Sequence, residues 1–210
     1  MSITRRTEPR APSEKFCDGV KPTSHTVGDL WRWAMSDLDS NTMRGTVAEF
    51  IVGRALGCTE KVRDEWRSYD LMTPDGITVE VKAAAYKQTW LQKKDSSIRF
   101  GIGERVEWVP EKGGYVGEPK RHAKVYVFCL LNNQVPHESD PLDLSRWEFF
   151  VLGTHVLNMK CLRQKTIGLA SLQRLKPKAC GFSGLAEAVR GVVGRGLVEE
   201  AEEPQGCSCR

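Results

Sequence analysis

The chain has 210 residues, 40% hydrophobic and 28% charged, proportions that exclude a largely disordered or fibrous protein. Its longest apolar runs, such as Val125–Leu131, are too short to cross a bilayer, and no charged start followed by an apolar stretch marks a secretory leader. Lys and Arg number 31 against 27 Asp and Glu, a formal charge of +4 that names no partner by itself.

The placement of that charge is more informative. Glu199, Glu200, Glu202 and Glu203 lie together near one end, and setting them aside raises the formal charge from +4 to +8. Arg5, Arg6 and Arg10 make the other end basic. Residues 1–24 and 198–210 offer little to bury, so both are expected to be disordered, solvated tails around a folded unit at 25–197. The basic balance of that unit favours a polyanion as partner. Seven cysteines, an odd and scattered set without a CxxC pair, point to reduced thiols in the cytoplasm rather than a disulfide framework. His122, His137 and His155 follow no ligand spacing, so no zinc site is expected.

In chain order, Asp29–Leu38 reads as a short amphipathic helix. Asn41 is suited to cap a second helix that ends at Gly57. Met43, Val47, Phe50, Ile51 and Ala55 form its expected core stripe. Glu49 lies opposite, with Gly45 and Gly53 one turn to either side. Glycine costs about 1 kcal/mol relative to alanine inside a helix, so the pair suggests that something approaches Glu49 closely. Arg44, at the start of this helix, is read as a solvent-facing side chain with phosphate contact as the alternative.

Trp66–Met72 and Ile77–Ala84 are expected strands joined by Pro74-Asp75-Gly76, a three-residue hairpin turn closed by a left-handed glycine. Such a turn pairs Thr73 with Ile77 and therefore sets Asp70 opposite Glu80. Tyr69, Leu71, Val79 and Val81 then share an apolar face; Ser68, Asp70, Thr78, Glu80 and Lys82 share a polar one. Facing carboxylates repel, and Lys82 offsets only part of that repulsion. Either a divalent cation on hard oxygen ligands or a solvated outer face with diverging charges accounts for the pairing.

Asp70 … Glu80-Val81-Lys82, with Glu49 on the preceding helix and Gln88 downstream, resembles the active-site motif of the PD-(D/E)xK nuclease superfamily. Tyr69-Asp70-Leu71, Asp75-Gly76, Tyr86 and Gln88-Thr89-Trp90, together with Arg44-Gly45 and Glu49, are similar to a bacterial and phage branch of it. The motif-level likeness covers residues 44–90, and the architectural one about 26–175. The Pro-Asp pair of this chain falls in the turn, so the ligand position is Tyr69-Asp70 instead. The resemblance implies an α/β restriction-endonuclease-like fold, a three-layer α/β/α core with a central mixed sheet of αβββαβ type. It implies Mg²⁺, with Mn²⁺ as a substitute, held by Asp70, Glu80, the Val81 carbonyl and Glu49. Lys82 would orient the attacking water, and Gln88 would position substrate or Lys82. The product would carry a 5′-phosphate. The partner would be nucleic acid, DNA first, with a homodimer or larger complex open and no membrane.

Downstream, Lys124–Leu131 reads as a central strand buried on both sides and Trp147–Leu152 as another. Gly153–Met159 and Ser183–Val193 read as helices. Residues 93–122, rich in glycine and carrying Lys93, Lys94, Arg99, Lys120 and Arg121, form either a nucleic-acid-facing flap or an ordinary exposed hairpin. Trp31, Trp33, Trp90 and Trp147 are expected at the core or its boundary, with base stacking open to Trp90 only if it is exposed. Three functions compete: a Mg²⁺-dependent DNA endonuclease, a catalytically silent nucleic-acid-binding module, and a nuclease subunit of a larger defence or mobile-element complex. The full acidic and basic set at 49, 70, 80 and 82 weighs against the silent module.

Overall fold

Residues 8–109, 112–134 and 140–202 are described by the structure, a computed structural model. Residues 1–7 and 203–210, the outer parts of the tails expected at 1–24 and 198–210, lie outside them. The rest of the expected N-terminal tail carries secondary structure. β1 (Lys15–Asp18) and β2 (Lys21–Thr26) pair as an antiparallel hairpin. Thr26 then caps α1 (Val27–Met35): its hydroxyl oxygen accepts from the Asp29 amide at 3.2 Å while the Asp29 carboxylate accepts from the Thr26 amide at 2.9 Å. No α1 residue is buried, and Trp33 is 85% exposed rather than at the core boundary.

Ser40 rather than Asn41 caps α2 (Asn41–Leu56), its hydroxyl accepting from the Met43 amide at 3.3 Å. The helix stops at Gly57, whose φ of +68° is the left-handed geometry expected there. Ala48, Ile51, Val52 and Leu56 form its buried face, whereas Phe50 is 58% exposed. Of the expected stripe, Ile51 is buried and Val47 and Ala55 pack against the same core, while Phe50 turns outward. Apolar residues lie nearly all round this helix, so spacing alone does not select the inward face.

β3 is only Leu71–Met72, far shorter than the strand expected from Trp66. β4 (Thr78–Ala85) pairs with it as Leu71↔Val79 and Met72↔Thr78, the register that the Pro74–Gly76 turn dictates. Gly76, at φ +80°, closes that turn. β5 (Arg99–Gly101) follows, then an exposed hairpin of β6 (Arg105–Val109) and β7 (Gly114–Lys120). β8 (Val125–Leu131) is buried along its whole length. β9 (Trp147–Gly153), α3 (Thr154–Lys160), β10 (Thr166–Gly168), α4 (Leu169–Arg174), β11 (Lys178–Cys180) and α5 (Leu185–Glu202) complete the described chain. The last helix thus runs into the segment expected to begin the acidic tail.

The central sheet has the order β11-β9-β8-β4-β3, with β4 and β8 parallel and the other neighbours antiparallel. On one face Val79, Val81, Val127 and Val151 pack with Ile51 and Val52 of α2 and Leu185 and Val189 of α5. On the other, Tyr126, Phe128 and Phe150 pack with Leu157 of α3, Leu172 of α4, and Phe100 and Ile167 of the small β5–β10 pair. The fold is therefore mixed α/β, with helices on both faces of a five-stranded sheet. Among the described residues no helix is long and apolar enough to cross a membrane.

One basic residue of the 93–122 excursion has an interior role instead. The Arg121 guanidinium is buried and donates to the carbonyls of Ile102 (2.7 Å) and Leu162 (2.8 Å) and to Asn158 Oδ1 (3.0 Å). It ties the excursion to the α3 side of the core and does not face a ligand.

Candidate active site

Asp70 sits where β3 gives out. Its backbone amide donates to the Val79 carbonyl at 3.1 Å, and its carboxylate Oδ2 accepts from the Val81 amide at 2.7 Å. The side chain thereby stands in for the ladder acceptor that a longer β3 would have supplied to Val81. The carbonyls of Val79 and Val81 point to the same edge of β4, because backbone groups alternate sides along a strand. Val81 therefore presents its carbonyl beside the Asp70 carboxylate, beyond the Leu71 end of β3.

Glu80 and Lys82 lie on the same face of β4, two residues apart. Glu80 is only 7% exposed, and its Oε1 accepts from Lys82 Nζ at 2.5 Å. Tyr126 and Phe128 of β8 are their register partners. Burial pushes the Asp70 carboxyl up to about 6, and the nearby Glu80 carboxylate adds to it. Lys82 and the Val81 amide pull the other way, and Glu49 adds a smaller upward push. Burial, and then Glu80, also push the Tyr126 phenol above its ordinary range. Two carboxylates and one lysine thus share a poorly solvated corner with a deficit of positive charge.

Glu49 projects from α2 toward this corner but is already engaged. Arg63 grips both of its oxygens, Nε on Oε2 and Nη2 on Oε1 at 2.9 Å, and the Glu49 side chain is 13% exposed. The glycines beside Glu49 have a different explanation from the one expected. A Cβ on Gly53 would meet Thr59 Cγ2 at 2.7 Å, so the close approach is the chain's own return after α2. Among the described residues, nothing beyond the helix's own backbone lies within 4 Å of the same position at Gly45.

Gln88 lies farther along, in the loop after β4. Its Oε1 accepts from Arg44 Nη2 at 2.8 Å, and its Nε2 donates to the Ala85 carbonyl at 3.0 Å. The carboxamide is thus spent on Arg44 and the backbone rather than on Lys82. Arg44 is not solvent-facing: it is 5% exposed and also donates to the Asp39 carbonyl at 3.1 Å and to Asn41 Oδ1. Burial lowers its guanidinium pKa. These residues border a cleft of about 270 Å³ that runs along Ala83–Ala85 to Ser96, Arg99 and Trp90. Among the described residues its lining contains no acidic side chain, and Trp90 is 56% exposed, which meets the condition for base stacking.

The fold therefore brings Asp70, Glu80, Val81 and Lys82 together, with Glu49 close but held, and places Gln88 with Arg44 in the adjoining cleft. Among the described residues no group of three or more His, Cys, Asp and Glu is arranged to hold a metal ion. The pair Asp70–Glu80 nonetheless fits a hard divalent cation: both are oxygen donors, both are withdrawn from water, and their charges are only partly offset. Sequence reasoning did not single out Arg63. It stands among Lys61, Asp64, Glu65 and Arg67, and no spacing distinguishes it from a solvated charge run. No protein-family model matches this chain, and no curated protein matches it.

Proposed function

We propose that the chain is a PD-(D/E)xK-type endonuclease that hydrolyses DNA phosphodiester bonds with a divalent cation, on a restriction-endonuclease-like core. One observation supports this reading: the half-buried Asp70 carboxylate beside the buried Glu80, offset by Lys82, at a strand edge where the Val81 carbonyl is turned to the same side. Asp70, Glu80 and the Val81 carbonyl would hold Mg²⁺ or Mn²⁺, with Glu49 as a further ligand once released from Arg63. When bound, such a cation would supply an activated water and charge neutralisation at the scissile phosphate. Lys82, whose Nζ donates to Glu80, would face the attacking water and a phosphate oxygen. The packed aromatic floor of Tyr126 and Phe128 limits competing water around Glu80. The cleft with Arg44 and Arg99 receives the strand beyond the scissile bond, and Trp90 offers a face to a base. A cytoplasmic setting, expected from the cysteine pattern, accords with that substrate.

A silent nucleic-acid-binding module is the second reading, favoured by the engagement of Glu49 with Arg63. A plasmid-nicking assay with Mg²⁺ or Mn²⁺ separates the two. Wild type should nick, and Asp70→Ala and Lys82→Ala should each lose roughly a hundredfold or more, the scale of removing a transition-state contact. Activity surviving both substitutions refutes the site. Intact DNA binding without cleavage under either metal establishes the silent module.

A further inference from the structure

Arg63 occupies the place of a cation. Its guanidinium closes on both oxygens of Glu49, and its third nitrogen reaches Glu65 Oε1 at 2.8 Å. A carboxylate gripped by a guanidinium fork has two of its lone pairs taken and much of its charge offset, which weakens it as an inner ligand of a metal ion. Glu49 also acts electrostatically on Asp70, as Asp70 does on Arg63, so all three charges belong to one neighbourhood. In this arrangement Asp70 and Glu80 remain to receive a divalent cation.

Arg63 is also placed to leave. It lies in the irregular stretch between α2 and β3, where no residue from 59 to 69 belongs to a helix or a strand. Its side chain is 41% exposed, and Glu65, at 76%, offers it a solvated partner outside the pocket. Withdrawal would break one ion pair without breaking any ladder.

We infer that Arg63 is an internal competitor of the divalent cation for Glu49, a positioning residue that keeps the third carboxylate closed until metal and Arg63 exchange places. The inference rests on the metal-dependent reading above and deepens it. The cation site has two states: a two-carboxylate state with Glu49 on Arg63, and a three-carboxylate state with Arg63 displaced. The displaced guanidinium stays tethered beside the centre, where an incoming phosphate is the obvious acceptor.

The test is a calorimetric Mn²⁺ titration of the full chain and of Arg63→Ala, Arg63→Lys, Glu49→Gln, Arg63→Ala/Glu49→Gln and Asp70→Asn. A partly exposed ion pair is worth about 1 kcal/mol, so Arg63→Ala should bind Mn²⁺ about fivefold more tightly than wild type. Arg63→Lys, which keeps the charge but not the fork, should gain less. Glu49→Gln alone should bind nearly as wild type, and adding it to Arg63→Ala should abolish the gain. Unchanged affinity in both Arg63 variants, or a gain that survives in the double variant, overturns the competition while leaving the Asp70–Glu80 site standing. Wild-type affinity in Asp70→Asn, or no Mn²⁺ binding by wild type, overturns the metal site itself and the competition with it.

Discussion

The carboxylate corner is built at a cost in stability, and Asp70→Asn should reveal it. In the folded chain Asp70 titrates at about 6, mainly because it is buried and secondly because it faces Glu80. An unfolded aspartate titrates near ~3.9, so the folded state holds its proton more tightly. The stabilisation due to that proton is full below about pH 4 and is lost as pH rises through about 6. At neutral pH the charged form then costs up to about 3 kcal/mol, at about 1.36 kcal/mol per pKa unit. The carboxyl retains some contact with water, and screening there leaves about 2 kcal/mol as the expected effect. Asn removes the charge but keeps an oxygen that can accept from the Val81 amide, so no buried donor is orphaned. For a domain of this size, about 2 kcal/mol raises the melting temperature by roughly 4–8 °C. Thermal unfolding by circular dichroism in metal-free buffer should show Asp70→Asn above wild type at pH 7.5, with the two converging toward pH 4.5. Mg²⁺ should narrow the gap at pH 7.5 by stabilising wild type alone. A variant that melts at or below wild type at pH 7.5, with the same difference at pH 4.5, would refute the electrostatic account.

Two further predictions test the surroundings. Gly45→Ala, where among the described residues nothing beyond the helix's own backbone lies within 4 Å, should stabilise the protein by up to about 1 kcal/mol in a urea titration. Gly53→Ala, which would drive a methyl against Thr59 and Leu71, should destabilise it by about 1–3 kcal/mol. Equal effects at the two positions would show that the return of the chain after α2 does not constrain Gly53. Arg121→Met leaves the Ile102 and Leu162 carbonyls without their donor and should cost about 3 kcal/mol of stability. DNA affinity measured well below the melting temperature should be unchanged, and a selective loss of binding at full stability would return Arg121 to the ligand-facing surface.

The turn was the most legible part of the fold. Pro74-Asp75-Gly76 specifies its own geometry locally, and that geometry alone places Leu71 against Val79. The uniformly apolar Val125–Leu131 announces a strand buried on both faces for a similarly direct reason. What was not legible depends on partners distant in sequence. α2 carries apolar residues nearly all round, and its packing on the sheet, not its spacing, turns Phe50 outward and Ala48 inward. Arg44 and Arg121 look like surface cations because a sequence does not display the carbonyls and side-chain oxygens that accept from them. The ion pair of Arg63 with Glu49 spans fourteen positions across an irregular segment, where no periodicity brings the two together.

The early end of β3 joins these local facts to the proposed chemistry. A strand running from Trp66, as the sequence suggests, would have covered the β4 edge and engaged the backbone groups of Val81 in a ladder. The pairing instead stops at Leu71, and the next residue, Asp70, turns its carboxylate onto the Val81 amide. That single substitution of side chain for backbone keeps the Val81 donor satisfied, leaves its carbonyl facing the same edge, and fixes the Asp70 carboxylate beside Glu80. A surface pair of acids would relax apart into water. Here the hydrogen bond to Val81 holds one carboxylate, and Lys82 with the packed face of β8 holds the other. The burial, and after it the repulsion from Glu80, that raise the Asp70 pKa are therefore set by the backbone, and a divalent cation is the simplest species that would relieve the repulsion without moving the sheet.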